Sequence, residues 1–131
     1  MYLIDTNIWL ERFLDQGRAD EVNHFLDRIP SDRLFVTDFG FHSIGVVLSK
    51  LNRKDALLRF VQDAFIDGAV SVIRLNPEDI QGVVRIMEQL NLDFDDAYQY
   101  AAAEKYDLTT VSFDSDFDRT PRRRKTPAEI G

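Results

Sequence analysis

The chain has 131 residues, of which 44% are hydrophobic and 30% charged, with a formal net charge of −7. That length suits one domain with a real core, and the composition belongs to a globular rather than a disordered chain. There is no cysteine, which excludes a disulfide framework and a thiolate zinc site.

The two histidines, His24 and His42, argue against a histidine-rich metal centre. A metal here is expected to be a hard cation held by oxygen, such as Mg²⁺ or Mn²⁺. No apolar run approaches the roughly 20 residues needed to span a bilayer, and no basic region followed by an apolar run opens the chain. A cytoplasmic protein is expected. The charge is uneven: Phe117 to Gly131 carries +3 and the remainder −10. An acidic body with a basic tail repels phosphate in general and attracts it locally.

Tyr2-Leu3-Ile4 reads as a short buried strand ending at Asp5-Thr6-Asn7. Ile8, Trp9, Leu10, Phe13 and Leu14 keep helical spacing, with Thr6 or Asn7 as cap and Gly17 as breaker. A second helix begins near Ala19, carries Val22, Phe25, Leu26 and Ile29, and ends at Pro30. Leu34 to Thr37 is the second strand. Asp38 is placed to cap a helix whose stripe is Ile44, Val47, Leu48 and Leu51.

The next helix spans about Lys54 to Asp67, with Leu57, Leu58, Val61 and Phe65 on one face and Gly68 closing it. Val70 to Leu75 is rich in β-branched residues and reads as the third strand. Asn76-Pro77-Glu78-Asp79 supplies a cap, a proline and first-turn acids for a helix carrying Ile80, Val83, Val84, Met87 and Leu90, ended by Asn91. After an acidic loop, Asp95 or Asp96 begins a helix that runs to about Tyr106. Leu108 to Ser112 is the fourth strand, followed by Phe113-Asp114-Ser115-Asp116-Phe117. The basic segment 119–131 either adds a short edge strand or stays loose.

Strands alternating with helices imply βαβ units, a parallel sheet and helices on both faces. In such a fold, strand C-termini and helix N-termini share an edge, where open α/β sheets bind ligands. Asp5, Asp96 and Asp114 are expected to converge there, with Asp116 close by. Carboxylates that close repel, and one or more takes up a proton unless a cation is present. Held on Mg²⁺ with water and a phosphate, such a set suits phosphodiester hydrolysis. Each acid also has an ordinary role: Asp95 or Asp96 as a cap, Asp114 and Asp116 as turn formers.

Leu3-Ile4-Asp5-Thr6-Asn7, Asp95-Asp96-Ala97 and Val111-Ser112-Phe113-Asp114-Ser115-Asp116-Phe117 resemble the motifs of PIN-domain ribonucleases, in order and over nearly the whole chain. The resemblance implies one domain over 1–131, a three-layer αβα fold with a central parallel sheet of four to five strands, and a Mg²⁺- or Mn²⁺-dependent endoribonuclease. It also implies a homodimer and, in the toxins of VapBC-type pairs, an antitoxin that blocks the site. Asp5, Asp96 and Asp114 match family acids, Asp116 precedes the usual Phe, and Asn7 is placed to orient Asp5 or a metal-bound water.

The chain departs from the family where a Glu usually stands early in the helix after the second strand. That place falls on Ser43 or His42. A catalytically weak module that binds RNA or a protein without cutting is therefore the alternative. A receiver-like phosphorylation domain also gathers acids at a sheet edge, but Asp114 stands where its lysine belongs. Arg122-Arg123-Arg124-Lys125 either contacts RNA backbone or forms a solvated end or partner contact. Trp9 and Phe13 either stack on bases or belong to the core or a partner surface.

Overall fold

The computed structural model describes residues 1–130. Four strands form one sheet: β1 (Tyr2–Ile4), β2 (Leu34–Thr37), β3 (Ser71–Ile73) and β4 (Thr109–Val111). The order is β3-β2-β1-β4 and every pairing is parallel. The helices are α1 (Thr6–Phe13), α2 (Ala19–Arg28), α3 (Asp38–Lys50), α4 (Lys54–Val61), α5 (Ile80–Leu90) and α6 (Phe94–Tyr106).

Period-two alternation in the strands sorts these helices onto two faces. Ile4, Leu34, Val36 and Val111 face one side, where α1 to α4 supply Ile8, Trp9, Phe13, Val22, Phe25, Ile44, Leu48 and Phe60. Leu3 and Ile73 face the other, against Val83 of α5 and Ala97, Tyr100, Ala102 and Ala103 of α6. The result is three layers, helix–sheet–helix. No helix among the described residues is long and apolar enough to cross a membrane.

Several expected details shift. Asp5 itself caps α1, accepting from Thr6 N at 2.7 Å, so neither Thr6 nor Asn7 is the cap. Thr37 rather than Asp38 caps α3, accepting from Gly40 N at 2.8 Å. Asp93 caps α6 by accepting from Asp96 N at 3.0 Å, which leaves the Asp95 and Asp96 side chains in the first turn and not spent on capping.

In α4 the buried positions are Ala56 and Phe60, while Leu58 is 71% exposed. Phe60 is the residue the spacing missed. It lies 5.2–6.0 Å, centroid to centroid, from Trp9, Phe13, Phe41 and Phe65, in the range of favourable aromatic pairs. Trp9 and Phe13 are thus core residues, 4% and 7% exposed, and not a base-stacking surface. A π-turn, Gln62–Ile66, continues α4. Gly68 follows it without a positive φ. Its role is close approach, since a Cβ there would lie 2.6 Å from the Asp63 carbonyl oxygen.

The basic segment is neither loose nor a full strand. It makes one parallel bridge, Val111 to Lys125, and a 3₁₀ turn at Pro127–Glu129. Three of its arginines are engaged by protein, Arg119 with Asp116 among them. Arg124 clamps Asp118 at 3.0–3.1 Å and donates to the Ser112 carbonyl; Arg122 reaches Asp107 and the Leu108 carbonyl.

Tyr98 joins α6 to the other layers. Its hydroxyl accepts from Leu75 N at 3.0 Å and donates to Asp38 Oδ1 at 2.8 Å. Tyr98→Phe strands a buried N–H and is expected to cost about 1–3 kcal/mol, measured by urea denaturation. A loss below a few tenths would show that Leu75 N finds another partner.

Candidate metal centre

The chain runs outward from β1 through β2 to β3, then returns to place β4 on the other side of β1. The strand order therefore switches direction between β1 and β4, and the crevice beyond the carboxyl ends of such strands is where open α/β sheets take ligands. Asp5 leaves β1 directly, and Asp114 lies three residues past the end of β4. The first turn of α6 brings Asp95 and Asp96. The structure gathers Asp5, Asp95, Asp96 and Asp114 around a cavity of about 280 Å³, with Thr6, Asn7, Ser43 and Gln99 on its walls.

Carboxylate oxygens of Asp96, Asp114 and Asp116 all lie within 4.8 Å of one another. Asp5 lines the cavity but stands outside that trio. Asp116 is at the rim, half exposed, tethered by Arg119 Nη1 at 2.9 Å. Arg119 also donates to the Asn91 carbonyl at 2.8 Å, which ties the loop after α5 to this turn.

Ser112 was not singled out from the sequence, yet its hydroxyl connects the two strand ends. Its Oγ donates to Asp5 Oδ2 at 2.6 Å and accepts from Asp114 N at 2.9 Å. Asn7 completes the bridge. Its Oδ1 accepts from Phe113 N at 3.2 Å, and its Nδ2 approaches Asp5 Oδ2 at 3.5 Å and Ser112 Oγ at 3.4 Å. Only the Val111-Ser112-Phe113-Asp114 register hinted at this: a small polar residue at a strand end, two before an acid.

Ser43 lines the acidic cavity, whereas His42 is exposed on an apolar groove formed by α3 and α4. Asp38 is engaged with Tyr98 and does not line the cavity.

The electrostatics follow from this crowding. Burial pushes the Asp5 carboxyl up, opposed by its hydrogen bonds from Ser112 and Thr6 N and reinforced by Asp114. Asp96 is pushed up to about 7 by burial first, then by the charges of Asp114, Asp93 and Asp5, and by a hydrogen bond shared with Asp114. Without a cation, Asp96 keeps a proton close to neutral pH.

The donor set fits a hard divalent ion. All the charged groups lining the cavity are carboxylates. Two ligands of one Mg²⁺ sit at most about 4.2 Å apart, twice its bond length. The trio's 4.8 Å spacing is thus a few tenths of an ångström from a shared shell.

The sequence matches the family model described as PIN domain over residues 2–123. No curated protein matches it. Among solved structures it is similar to a "Toxin-antitoxin complex from Klebsiella pneumoniae" (21% identity, 99% of this chain, 100% of that one, TM-score 0.77). It is also similar to Mycobacterium tuberculosis VapC20, described as a sarcin-ricin loop cleaving toxin (14%, 92% and 95%, TM-score 0.78). FitAcB from Neisseria gonorrhoeae is a third (17%, 99% and 100%, TM-score 0.80). At these identities the likeness to the three structures is one of fold.

Two outcomes are expected from this geometry. The folded chain keeps the Asp96 proton up to about pH 7, whereas an unfolded Asp releases it near pH 4. The native state therefore binds more protons between those limits, and stability is full below them and lost as pH rises through the folded value. The metal-free protein is expected to melt at a lower temperature at pH 8 than at pH 5. Asp96→Asn should flatten that slope in calorimetry, and an unchanged slope would place the proton elsewhere. The carboxyls of Asp55, Asp79 and Asp118, held low by Arg53, Lys105 and Arg124, titrate only in more acid conditions.

Ser112→Ala removes both links between the strand ends. Mn²⁺ affinity by titration calorimetry should fall about tenfold, the lower range for loss of a group that orients metal ligands.

Proposed function

Because the chain belongs to the PIN-domain family, whose members are generally nucleases, we propose that it is a Mg²⁺- or Mn²⁺-dependent endoribonuclease acting on RNA phosphodiesters. The observation that carries this is the meeting of Asp5, Asp96 and Asp114, from three separate parts of the chain, in one open cavity at the sheet's switch point. Asp96 and Asp114 would hold the cation, with Asp5 lining the same cavity as the further carboxylate. Asp116 closes the rim, its carboxylate steered by Arg119. Asn7 and Ser112 fix the direction of Asp5. A cation bound there would displace the proton that Asp96 keeps. When bound, such an ion supplies Lewis-acid polarisation of the phosphate and a water made nucleophilic at neutral pH.

The similarity to a toxin–antitoxin complex and to an RNA-cleaving toxin supports a narrower reading. This chain acts as the toxin of a type II pair, as a homodimer, and an antitoxin protein restrains it.

Ser43 favours a second reading. A hydroxyl stands on the α3 wall of the cavity where the family usually has a carboxylate, so the ion has one charged ligand fewer. The alternative is a module that binds RNA or a protein partner and no longer cuts.

One experiment separates the two. Structured RNA is incubated with the protein and Mg²⁺ or Mn²⁺, beside Asp5→Asn and an EDTA control. The nuclease reading expects cleavage by the parent, abolished by EDTA and reduced at least about a hundredfold in Asp5→Asn, of the order measured when a charge-stabilising group is removed. RNA binding by both proteins with no cutting in either metal would establish the module instead.

A further inference from the structure

Gln99 lies on α6, one turn beyond Asp95 and Asp96, and forms part of the acidic cavity's wall. The residue is 6% exposed. Its Nε2 is sealed from solvent and has no hydrogen-bond partner among the described residues. A buried amide donor without an acceptor costs stability that an apolar side chain of the same size does not. The other carboxamide of the cavity, Asn7, is already committed to Asp5, Ser112 and Phe113.

What Gln99 lacks is an acceptor oxygen, and the chemistry of the cavity says which kind can enter. A water bound to a cation turns its lone pair to the ion and its hydrogens outward. Such a water donates to the carboxylates and has little left to accept from an amide N–H. A phosphodiester offers non-bridging oxygens, which are acceptors only. No lysine or arginine lines the cavity. A basic group there would compete with the cation for the acids, whereas a neutral amide donor does not.

We propose that Gln99 is a substrate-binding residue: its carboxamide, turned about its terminal bond toward the cavity, donates from Nε2 to a non-bridging phosphate oxygen of the bound RNA. This rests on the nuclease reading above and adds a contact by which the site recognises phosphate.

The test compares the parent with Gln99→Met, unbranched and of similar length, and with Gln99→Glu. The readouts are anisotropy of a labelled single-stranded RNA with Ca²⁺ at the site, Mn²⁺ affinity by calorimetry, metal-free melting temperature, and RNA cleavage in Mg²⁺. Gln99→Met should bind RNA about tenfold more weakly, the value of one hydrogen bond to a charged group. It should keep Mn²⁺ affinity within about twofold and melt at the parent's temperature or above. Gln99→Glu should weaken RNA binding further and tighten Mn²⁺.

If Gln99→Met binds and cuts RNA like the parent, the assignment fails and the nuclease reading stands. Loss of Mn²⁺ affinity in step with RNA affinity, or a variant that unfolds, also overturns it, because the amide would then serve the ion or the fold. A parent that neither binds nor cuts RNA overturns both readings together.

Discussion

The hydroxyl of Ser112 is where the two halves of the site are joined. It donates to the carboxylate after β1 and accepts from the backbone N–H of the acid after β4. Both strands end at the sheet's switch point, so this one oxygen fixes the distance between two charges that would otherwise move apart. The link is sturdy because its own backbone is held: Ser112 N donates to the Lys125 carbonyl, and Arg124 donates to the Ser112 carbonyl. The basic segment, read from the sequence as a tail with surplus charge, spends much of that charge here. Arg124 is engaged by Asp118 and Ser112, Arg122 by Asp107 and Arg119 by Asp116.

A parallel sheet makes this convergence cheap in chain length. Asp5 is the single residue between β1 and α1, and it caps that helix with Oδ1 while Oδ2 takes the Ser112 hydrogen bond. One carboxylate thus ends a strand, starts a helix and faces the cavity. α6 reaches the same edge differently. Asp93 takes the capping role, which releases Asp96 into the cavity, and Tyr98 two residues on locks the helix to Asp38 and Leu75. The buried face of α6 is alanine-rich, which lets the helix lie close on the sheet and carries its first turn to the switch point.

Much of this was legible in the sequence. β-branched and aromatic runs marked the four strands, and the parallel αβα arrangement followed from their alternation with helices. Asp5, Asp96 and Asp114 were visible as acids at strand ends and a helix start, because those positions share an edge whatever the packing detail. Capping was less legible, since Asp, Thr and Asn are near-equivalent caps and the choice among Asp93, Asp95 and Asp96 depends on where α6 begins. Phe60 was missed because Leu57, Leu58, Val61 and Phe65 already made a helical stripe. Leu57, Val61 and Phe65 do pack against the core, and the aromatic partners from α1 and α3 draw in Phe60 beside them while Leu58 stays exposed. Ser112 was barely legible, through its register two before an acid, and Gln99 was not legible at all. A serine at a strand end and a glutamine inside a helix carry little signal until a tertiary neighbour is in place.

The substitution at the family's Glu position has an electrostatic consequence that runs through the whole site. With Ser43 on the α3 wall, the cavity holds fewer fixed negative charges, so repulsion among the carboxylates is smaller and their attraction for a divalent ion is weaker. Burial first, and the remaining repulsion after it, still lift Asp96 to about 7. Ion binding and proton release therefore trade against one another near neutral pH, and the site is loaded more readily as pH rises. On the same reading, a phosphate approaching the less negative α3 wall meets less opposition there, and the neutral groups of the cavity, Ser43 on α3 and Gln99 on α6, become the ones able to receive it. On the proposed reading, a site built this way trades some hold on a divalent ion for access by an anionic substrate.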